Sequence, residues 1–348
     1  MNSKTLINSK TLIIYHSEDN DGRVSGALCR ISTETNFPNE EVICHGYTYA
    51  QLSELVKQHK SSADFTKRLH SEYDKIIMTD ISFNETDVMK SLYNEFGKKF
   101  YWFDHHAPAV KSSFDNGYDN ALGFRVAGAC SAIKCVWEYL FNGLYSDADN
   151  ERIPKILNIL SAYDSWNWEN HGTTFDFCNC VNKGFNVESG SNFEKTYEII
   201  ATLLNNLNKY AVNVPSIYEQ QLLMNCYTAG KILIESDKIS NKDLIEKWGD
   251  CSFVLDNGDK CCVLFNQSIV NSISFESLKT TSIKHGVVLK RIPYSGNYVI
   301  SLYNVNSDDE FNCGKYLKLK YKGGGHKGAA GATISNSQIN KILKSKIV

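Results

Sequence analysis

Three short apolar runs in the first third of the chain each end on a side chain that can bind metal. TLIIYH (11–16) ends on His16, KIIMTD (75–80) on Asp80 and KFYWFD (99–104) on Asp104. Each run is continuously β-prone rather than alternating, the pattern of strands covered on both faces of a parallel sheet. Between the last two lies NETDVMKSLYNEFGKK, a helical pattern opened by an Asn84 cap and closed near Gly97, so Asp80 to Asp104 reads as one βαβ unit. EEVICHGYTY (40–49) supplies another strand. Ligands of open parallel α/β sheets bind beyond the carboxyl ends of the strands. Topology alone therefore gathers His16, Asp80 and Asp104 at one edge.

Helical patterns follow at 129–144, 152–169, 192–211 and 216–236, the last two reading as a connector. The grammar then changes: an Asn-Gly hairpin over 251–266, a Ser-Gly-Asn hairpin over 285–304, and a glycine-rich end, YKGGGHKGAAGATI. The expected class is α/β, with a parallel-sheet domain over 1–190, a helical connector over 191–240 and a smaller α/β domain over 241–348. The 348 residues, 42% hydrophobic and 22% charged, suit a globular protein of this size. No apolar run nears the roughly 20 residues that span a bilayer. The N-terminus lacks the apolar core of a signal peptide and repeats NSKTLI at 2–7 and 8–13, the first copy reading as a dispensable extension. Eleven cysteines, irregularly spaced and without a CxxC pair, indicate reduced thiols in the cytoplasm rather than a disulfide framework or zinc site.

The net charge of −2 hides an asymmetry. Residues 311–348 carry eight lysines and no acid; without them, 29 basic residues stand against 39 acidic ones, a charge of −10 over 1–310. The positive end can grip a polyanion while the negative part holds cations.

The cation-holding chemistry is readable. HSEDNDG places His16 and Asp19 where both reach one ion, aims Asp21 at a neighbour, and uses Gly22 for a tight exit. A surface Asx-rich turn has the same composition, so this motif decides nothing alone. It gains weight beside Asp80, the triplet Asp104-His105-His106 and Asp164 in SAYDSW. Mixed carboxylate and imidazole ligands without thiolate suit Mn²⁺, with Mg²⁺ less favoured because it rarely takes nitrogen. Six ligands are too many for one ion and suit two ions sharing a carboxylate, an arrangement that clamps both oxygens of an in-line phosphoryl displacement.

On these motifs the chain resembles the DHH phosphoesterase family, named for the triplet found here as Asp104-His105-His106. HSEDNDG, Asp80 after an apolar strand, DHH and Asp164 occur in order, and GGGHKGAAG resembles the signature of the DHH-associated C-terminal domain, so the likeness spans roughly residues 11–335. AYDSWNWE and the length are most similar to nanoRNase B-type oligoribonucleases. The resemblance implies two Mn²⁺, one held by His16, Asp19 and Asp80, the other by Asp21, Asp80, His105 and Asp164, with Asp80 bridging. It implies that His106 faces the scissile phosphate, that Asp104 orients the histidines, and that Gly323, Gly324, Gly325, His326 and Lys327 bind substrate. It implies a phosphodiesterase that hydrolyses short oligoribonucleotides to nucleoside monophosphates in a cleft between domains. The expected partners are such RNAs or other nucleotide phosphodiesters, with no membrane and with a homodimer as an option. One departure stands out: the family's Ser-Leu-Arg triplet reads SLY here, putting Tyr303 where arginine is expected, with Lys290, Arg291 and Lys327 as candidate substitutes.

Three other readings stay open at this point: a RecJ-like exonuclease on single-stranded DNA, a hydrolase of cyclic dinucleotides or 3′-phosphoadenosine 5′-phosphate, and a nucleotide-binding protein without catalysis. Trp166 and Trp168 are either base-stacking or core residues. GACSA (128–132) opens a helix whose amides either face phosphate or are simply capped. His45, His59, His70, His171 and His285 read as structural or exposed.

Overall fold

The computed structural model describes residues 9–128, 130–141, 153–207, 215–266, 272–292, 295–306, 310–325 and 327–345. The first NSKTLI copy and His326 lie outside the described residues, as do the ends of the expected helices over 129–144 and 192–211. The chain divides into two compact units, Met1–Lys231 and Ile232–Val348.

In the first unit β1 (Lys10–His16), β2 (Glu41–Tyr47), β3 (Lys75–Thr79) and β4 (Phe100–Phe103) form an all-parallel sheet in the order β2-β1-β3-β4. Successive strand residues point to opposite faces. Leu12, Ile14, Ile76, Met78, Phe100 and Trp102 pack into one cluster; Ile13, Ile77 and Phe103 pack into the other. Helices α2 (Tyr49–Lys57), α3 (Ser62–Glu72) and α4 (Thr86–Phe96) cover the first face, and α1 (Asn20–Asn36) covers the second. Both faces being covered is why the three runs are apolar without alternation. The less apolar β2 is an edge strand.

Among the described residues this unit also has α5 (Ala107–Asn116), α6 (Ala132–Leu140), α7 (Lys155–Asp164), α8 (Phe175–Ser189) and α9 (Phe193–Leu207). Several expected boundaries move. Helix α4 is capped at Glu85 rather than Asn84, without a side-chain cap bond, and closes at Gly97 with φ +52°. Helix α7 stops at Asp164 instead of running to 169, because Trp166 turns into the left-handed region (φ +54°). Helix α10 (Ile217–Trp248) then carries the chain into the second unit as one continuous helix, past the expected end at 236.

The second unit has a seven-stranded sheet in the order β11-β5-β6-β7-β8-β10-β9. Its strands are β5 (Asp250–Leu255), β6 (Lys260–Phe265), β7 (His285–Arg291), β8 (Asn297–Asn304), β9 (Gly324–Gly325), β10 (Ala329–Ser335) and β11 (Leu343–Ser345), with α11 (Cys313–Tyr321) and α12 (Asn336–Ile342) between them. Both expected hairpins form as antiparallel pairs, β5–β6 and β7–β8. The α/β class, with a parallel N-terminal sheet, helices in the middle and a second C-terminal sheet, matches the expectation.

Candidate metal centre

His16 closes β1, and the chain enters α1 so tightly that a Cβ on Gly22 would lie 2.1 Å from the His16 carbonyl oxygen. Only glycine fits that approach. Asp19 caps α1, its Oδ1 accepting from the Gly22 N–H at 2.9 Å, while its Oδ2 lies 3.5 Å from His16 Nε2. Arg23 fixes the turn from within, donating to the Ser17 carbonyl at 2.8 Å, Asn20 Oδ1 at 2.9 Å and Asn186 Oδ1 at 2.5 Å.

Asp21 points elsewhere. Its buried carboxylate accepts from the backbone N–H groups of Ala132 (2.7 Å) and Ile133 (2.9 Å), at the start of α6. A carboxylate there is favoured by the unpaired amides and the helix dipole. Ser131, at the N-cap position, makes no side-chain cap bond. Of the two readings of GACSA, capping is the one observed for these two amides, and the cap comes from a residue 111 positions earlier. Each carboxylate oxygen keeps a second lone pair for a cation.

Asp80 follows β3 and is held at φ +59°, with its N–H donating to the Phe103 carbonyl at 2.9 Å. Left-handed backbone at a non-glycine residue costs on the order of 1 kcal/mol, least for Asp and Asn, and such strain gathers at functional sites. Asp104 follows β4 and is fully buried. Its Oδ2 accepts from Trp102 Nε1 at 3.1 Å, and its Oδ1 meets both the backbone N–H (2.9 Å) and Nδ1 (2.8 Å) of His106. The histidine ring is thereby oriented through Nδ1.

His105 joins the strands' ends. Its Nε2 lies 3.1 Å from Asp164 Oδ2, 3.4 Å from Asp80 Oδ1 and 3.7 Å from Asp21 Oδ2. Three carboxylates from three separate elements thus surround one imidazole nitrogen. Two groups of ligand-competent atoms fall within 4.8 Å of one another: Asp80 with His105 and His106, and Asp21 with His105 and Asp164. His16 and Asp19 form a neighbouring pair rather than part of either group.

The electrostatics are those of an anionic pocket short of positive charge. Burial, then Asp21, Asp19, Asp164 and Asp104, push the Asp80 carboxyl well above its ordinary range. Burial, then Asp21 and Asp19, do the same to Asp164. Burial also holds His105 low, against the pull of Asp21, leaving it the neutral imidazole that binds metal. His106 shifts upward: burial opposes this, but the hydrogen bond and charge of Asp104, with Asp21 and Asp19, outweigh it. Asp104 is held low against its own burial, chiefly by His106. Asp80 Oδ1 and Asp164 Oδ2 are buried without a hydrogen-bond partner. Buried carboxylate oxygens are normally paired. A divalent cation would supply what these two lack, so the residues around His105 fit such an ion.

Tyr49 was missed from sequence. At the start of α2, its ring lies 5.4 Å from that of His16 and 6.1 Å from that of His106. Burial and then Asp104, Asp80 and Asp19 raise its hydroxyl's pKa. It sits just beyond β2, so the strand-end rule that selects His16, Asp80 and Asp104 points to it too.

In the second unit the glycine-rich segment forms the β9–β10 hairpin. A Cβ on Gly323 would lie 2.4 Å from the Gly331 carbonyl oxygen, and one on Gly325 (φ +140°) 2.5 Å from Ala330 Cα. A Cβ on Gly324 would meet nothing within 4 Å. Close backbone packing therefore explains two of the three glycines. The segment beyond is anchored at Lys327, whose carbonyl accepts from Cys313 N–H (2.9 Å), and at Gly328, whose carbonyl accepts from Asn304 N–H (2.9 Å). Tyr303, in the arginine position, packs its half-buried ring 5.8 Å from that of Phe275. Trp166 is 38% exposed and stacks on Phe175, with ring centres 5.9 Å apart; Trp168 packs against the apolar core.

No protein-family model matches the chain, and no curated protein does. Solved structures do. A pGpG-specific phosphodiesterase, PggH from Vibrio cholerae, is 16% identical, with 96% of this chain and 95% of that one covered at a TM-score of 0.40. Exonuclease RecJ bound to manganese is 13% identical over 95% and 87%, with a TM-score of 0.42. An uncharacterised protein from Helicobacter pylori G27 is 16% identical over 96% and 99%, with a TM-score of 0.39. All three scores lie below 0.5, so the functional reading rests on the site itself.

Proposed function

We propose that the chain is a divalent-metal-dependent phosphodiesterase that hydrolyses short oligoribonucleotides to nucleoside monophosphates. The observation that carries this reading is the convergence of Asp21, Asp80 and Asp164 on His105 Nε2, with two of their buried carboxylate oxygens making no hydrogen bond. His16, Asp19 and Asp80 would hold one Mn²⁺, and Asp21, Asp80, His105 and Asp164 the other. When bound, such ions polarise phosphoryl oxygens and bring the pKa of water towards neutrality. His106, oriented by Asp104 and biased towards its protonated form, would donate from Nε2 to the phosphate. Residues 1–190 would bear catalysis, 191–240 connect, and 241–348 bind substrate, with Gly324 and Lys327 against its phosphates and Gly323 and Gly325 shaping the turn. The lysines of residues 311–348 suit a polyanion. No helix among the described residues is long and apolar enough to cross a membrane. All eleven cysteines are free thiols, as suits the reducing cytoplasm.

A hydrolysis panel with Mn²⁺ tests the reading: RNA from dinucleotides to long oligomers, matching DNA, and cyclic dinucleotides. Dinucleotides to pentanucleotides of RNA should be cleaved fastest, and Asp80→Ala should lose at least about a thousandfold in rate, because one change strips a ligand from both ions. Full activity in excess EDTA, or an active and folded Asp80→Ala protein, would overturn the two-metal assignment. A rate that climbs with strand length would favour a RecJ-like exonuclease instead.

A further inference from the structure

Beside the metal centre lies a pair of thiols that phosphoryl chemistry does not use. Cys130 Sγ is 3.5 Å from Cys135 Sγ across the start of α6. Cys130 is partly exposed, while Cys135 is buried and contacts the Asp104 carbonyl oxygen at 3.7 Å. Between them in sequence stand Ala132 and Ile133, whose N–H groups hold Asp21. The two thiols also differ chemically. The hydrogen bond with Cys135 pulls the Cys130 pKa down, Lys134 helping and burial opposing, whereas that bond and burial push Cys135 up. The thiols of Cys29, Cys44, Cys178, Cys226, Cys261 and Cys262 are, by contrast, all shifted upward, chiefly by burial. Oxidation-sensitive cysteines combine thiolate character, exposure and a nearby resolving thiol.

We propose that Cys130 is a peroxide-reactive thiol with Cys135 as its resolving partner, and that the disulfide they form weakens the metal centre through Asp21. The Cys130 thiolate attacks a peroxide oxygen; the O–O bond breaks, the sulfur becomes a sulfenic acid, and the other oxygen leaves as water or an alcohol after taking a proton. Cys135 then attacks that sulfur, forming the S–S bond; its own thiol proton and the sulfenic hydroxyl leave as water. Two thiols are oxidised by two electrons in all, and the peroxide is reduced. An S–S bond of about 2.05 Å requires the sulfurs to close by roughly 1.5 Å. That movement falls on the helix start that grips Asp21 and on the contact with the Asp104 carbonyl.

The test uses the full chain and hydrogen peroxide, with tryptic mapping after blocking of free thiols. Cleavage after Lys134 puts the two cysteines in separate peptides, 126–134 and 135–152, so a linked pair is diagnostic. The expected result is that pair, a mass loss of about 2 Da, and reversal by dithiothreitol. Cys135→Ser should stop at a sulfenic acid on Cys130 that dimedone traps, and Cys130→Ser should leave Cys135 reduced. Calorimetry with Mn²⁺ alone should show at least about tenfold weaker binding in the oxidised protein, restored by reduction. Thiols that all survive, a linked pair elsewhere such as Cys251 with Cys262, or oxidation of Cys135 in the Cys130→Ser variant would overturn the assignment. Unchanged Mn²⁺ affinity in the linked protein would overturn its coupling to Asp21.

Discussion

Each unit contains a buried histidine facing aspartate, and the two differ in one respect that matters. In the second unit His285 is fully buried, with Nε2 3.2 Å from Asp259 Oδ2 and Nδ1 3.2 Å from Asn304 Oδ1. Asp259 also meets Lys284 at 2.9 Å, and Asn304 passes its amide on to the Phe311 carbonyl at 2.7 Å. Every group in that network has a partner. In the first unit three carboxylates crowd His105, and two of their oxygens have no hydrogen bond. A satisfied network of the same residue types holds a fold together; an unsatisfied one is completed by something from outside. Residue type alone does not separate structure from function here. The accounting of partners does.

Breaking the satisfied cluster should do the most harm to stability. His285→Leu strips partners from Asp259 and from Asn304, which sits where the chain holds the Gly328 carbonyl. Chemical denaturation should show a loss of about 2–4 kcal/mol, with Mn²⁺ binding intact. A stability loss below about 0.5 kcal/mol would mean the network is incidental.

The glycine-rich hairpin yields a smaller, sharper effect. Gly323→Ala collides with the Gly331 carbonyl and should lower the melting temperature, whereas Gly324→Ala has room and should not. If Gly324 lies against a substrate phosphate, its replacement should raise KM for a dinucleotide by about tenfold, near 1.4 kcal/mol, and leave a small artificial phosphodiester unaffected. Equal damage to both substrates would place the hairpin in the fold rather than in binding.

Tyr49 should give the smallest change. Tyr49→Phe keeps the ring between His16 and His106 but removes the hydroxyl, for a loss of about fivefold in kcat/KM if that hydroxyl donates one neutral hydrogen bond to substrate. Tyr49→Ala should lose more, with weaker Mn²⁺ binding, because the ring itself spaces the histidines. Identical Phe and Ala variants would remove the distinction between hydroxyl and ring.

Much of this was legible in sequence where physics is local. Continuous apolar runs marked double-covered strands, and their polar ends marked the edge where His16, Asp80 and Asp104 gather. Long-range partnerships were not legible. Nothing near Asp21 announces that it will cap a helix beginning at Ala132, and nothing near Gly323 announces the Gly331 carbonyl that excludes a side chain. The left-handed turns at Asp80 and Trp166 carry no glycine to signal them, so the end of α7 was placed too late. The satisfied state of His285 depends on Asp259 from the β5–β6 turn and Asn304 from β8, which composition does not reveal.

The central claim is that the crowded carboxylates of the first unit are held for cations, and thermal melting against pH tests it most directly. Burial and like charge raise Asp80 and Asp164 in the folded protein. Their stabilising contribution is therefore complete below the unfolded value, about 4, and is lost as pH rises through the raised folded values. The raised His106 acts in the same sense above about pH 6.5. Asp104, held low, contributes stability that is constant above about pH 4, and His105, held low, acts oppositely below about pH 6.5. Comparing wild type with Asp80→Asn separates these contributions. Metal-free wild type should melt at lower temperature than Asp80→Asn at neutral pH, with the gap closing towards pH 4, and Mn²⁺ should raise the wild-type melting temperature while moving the variant little. Coincident metal-free curves at every pH, with no Mn²⁺ response in wild type, would contradict the claim.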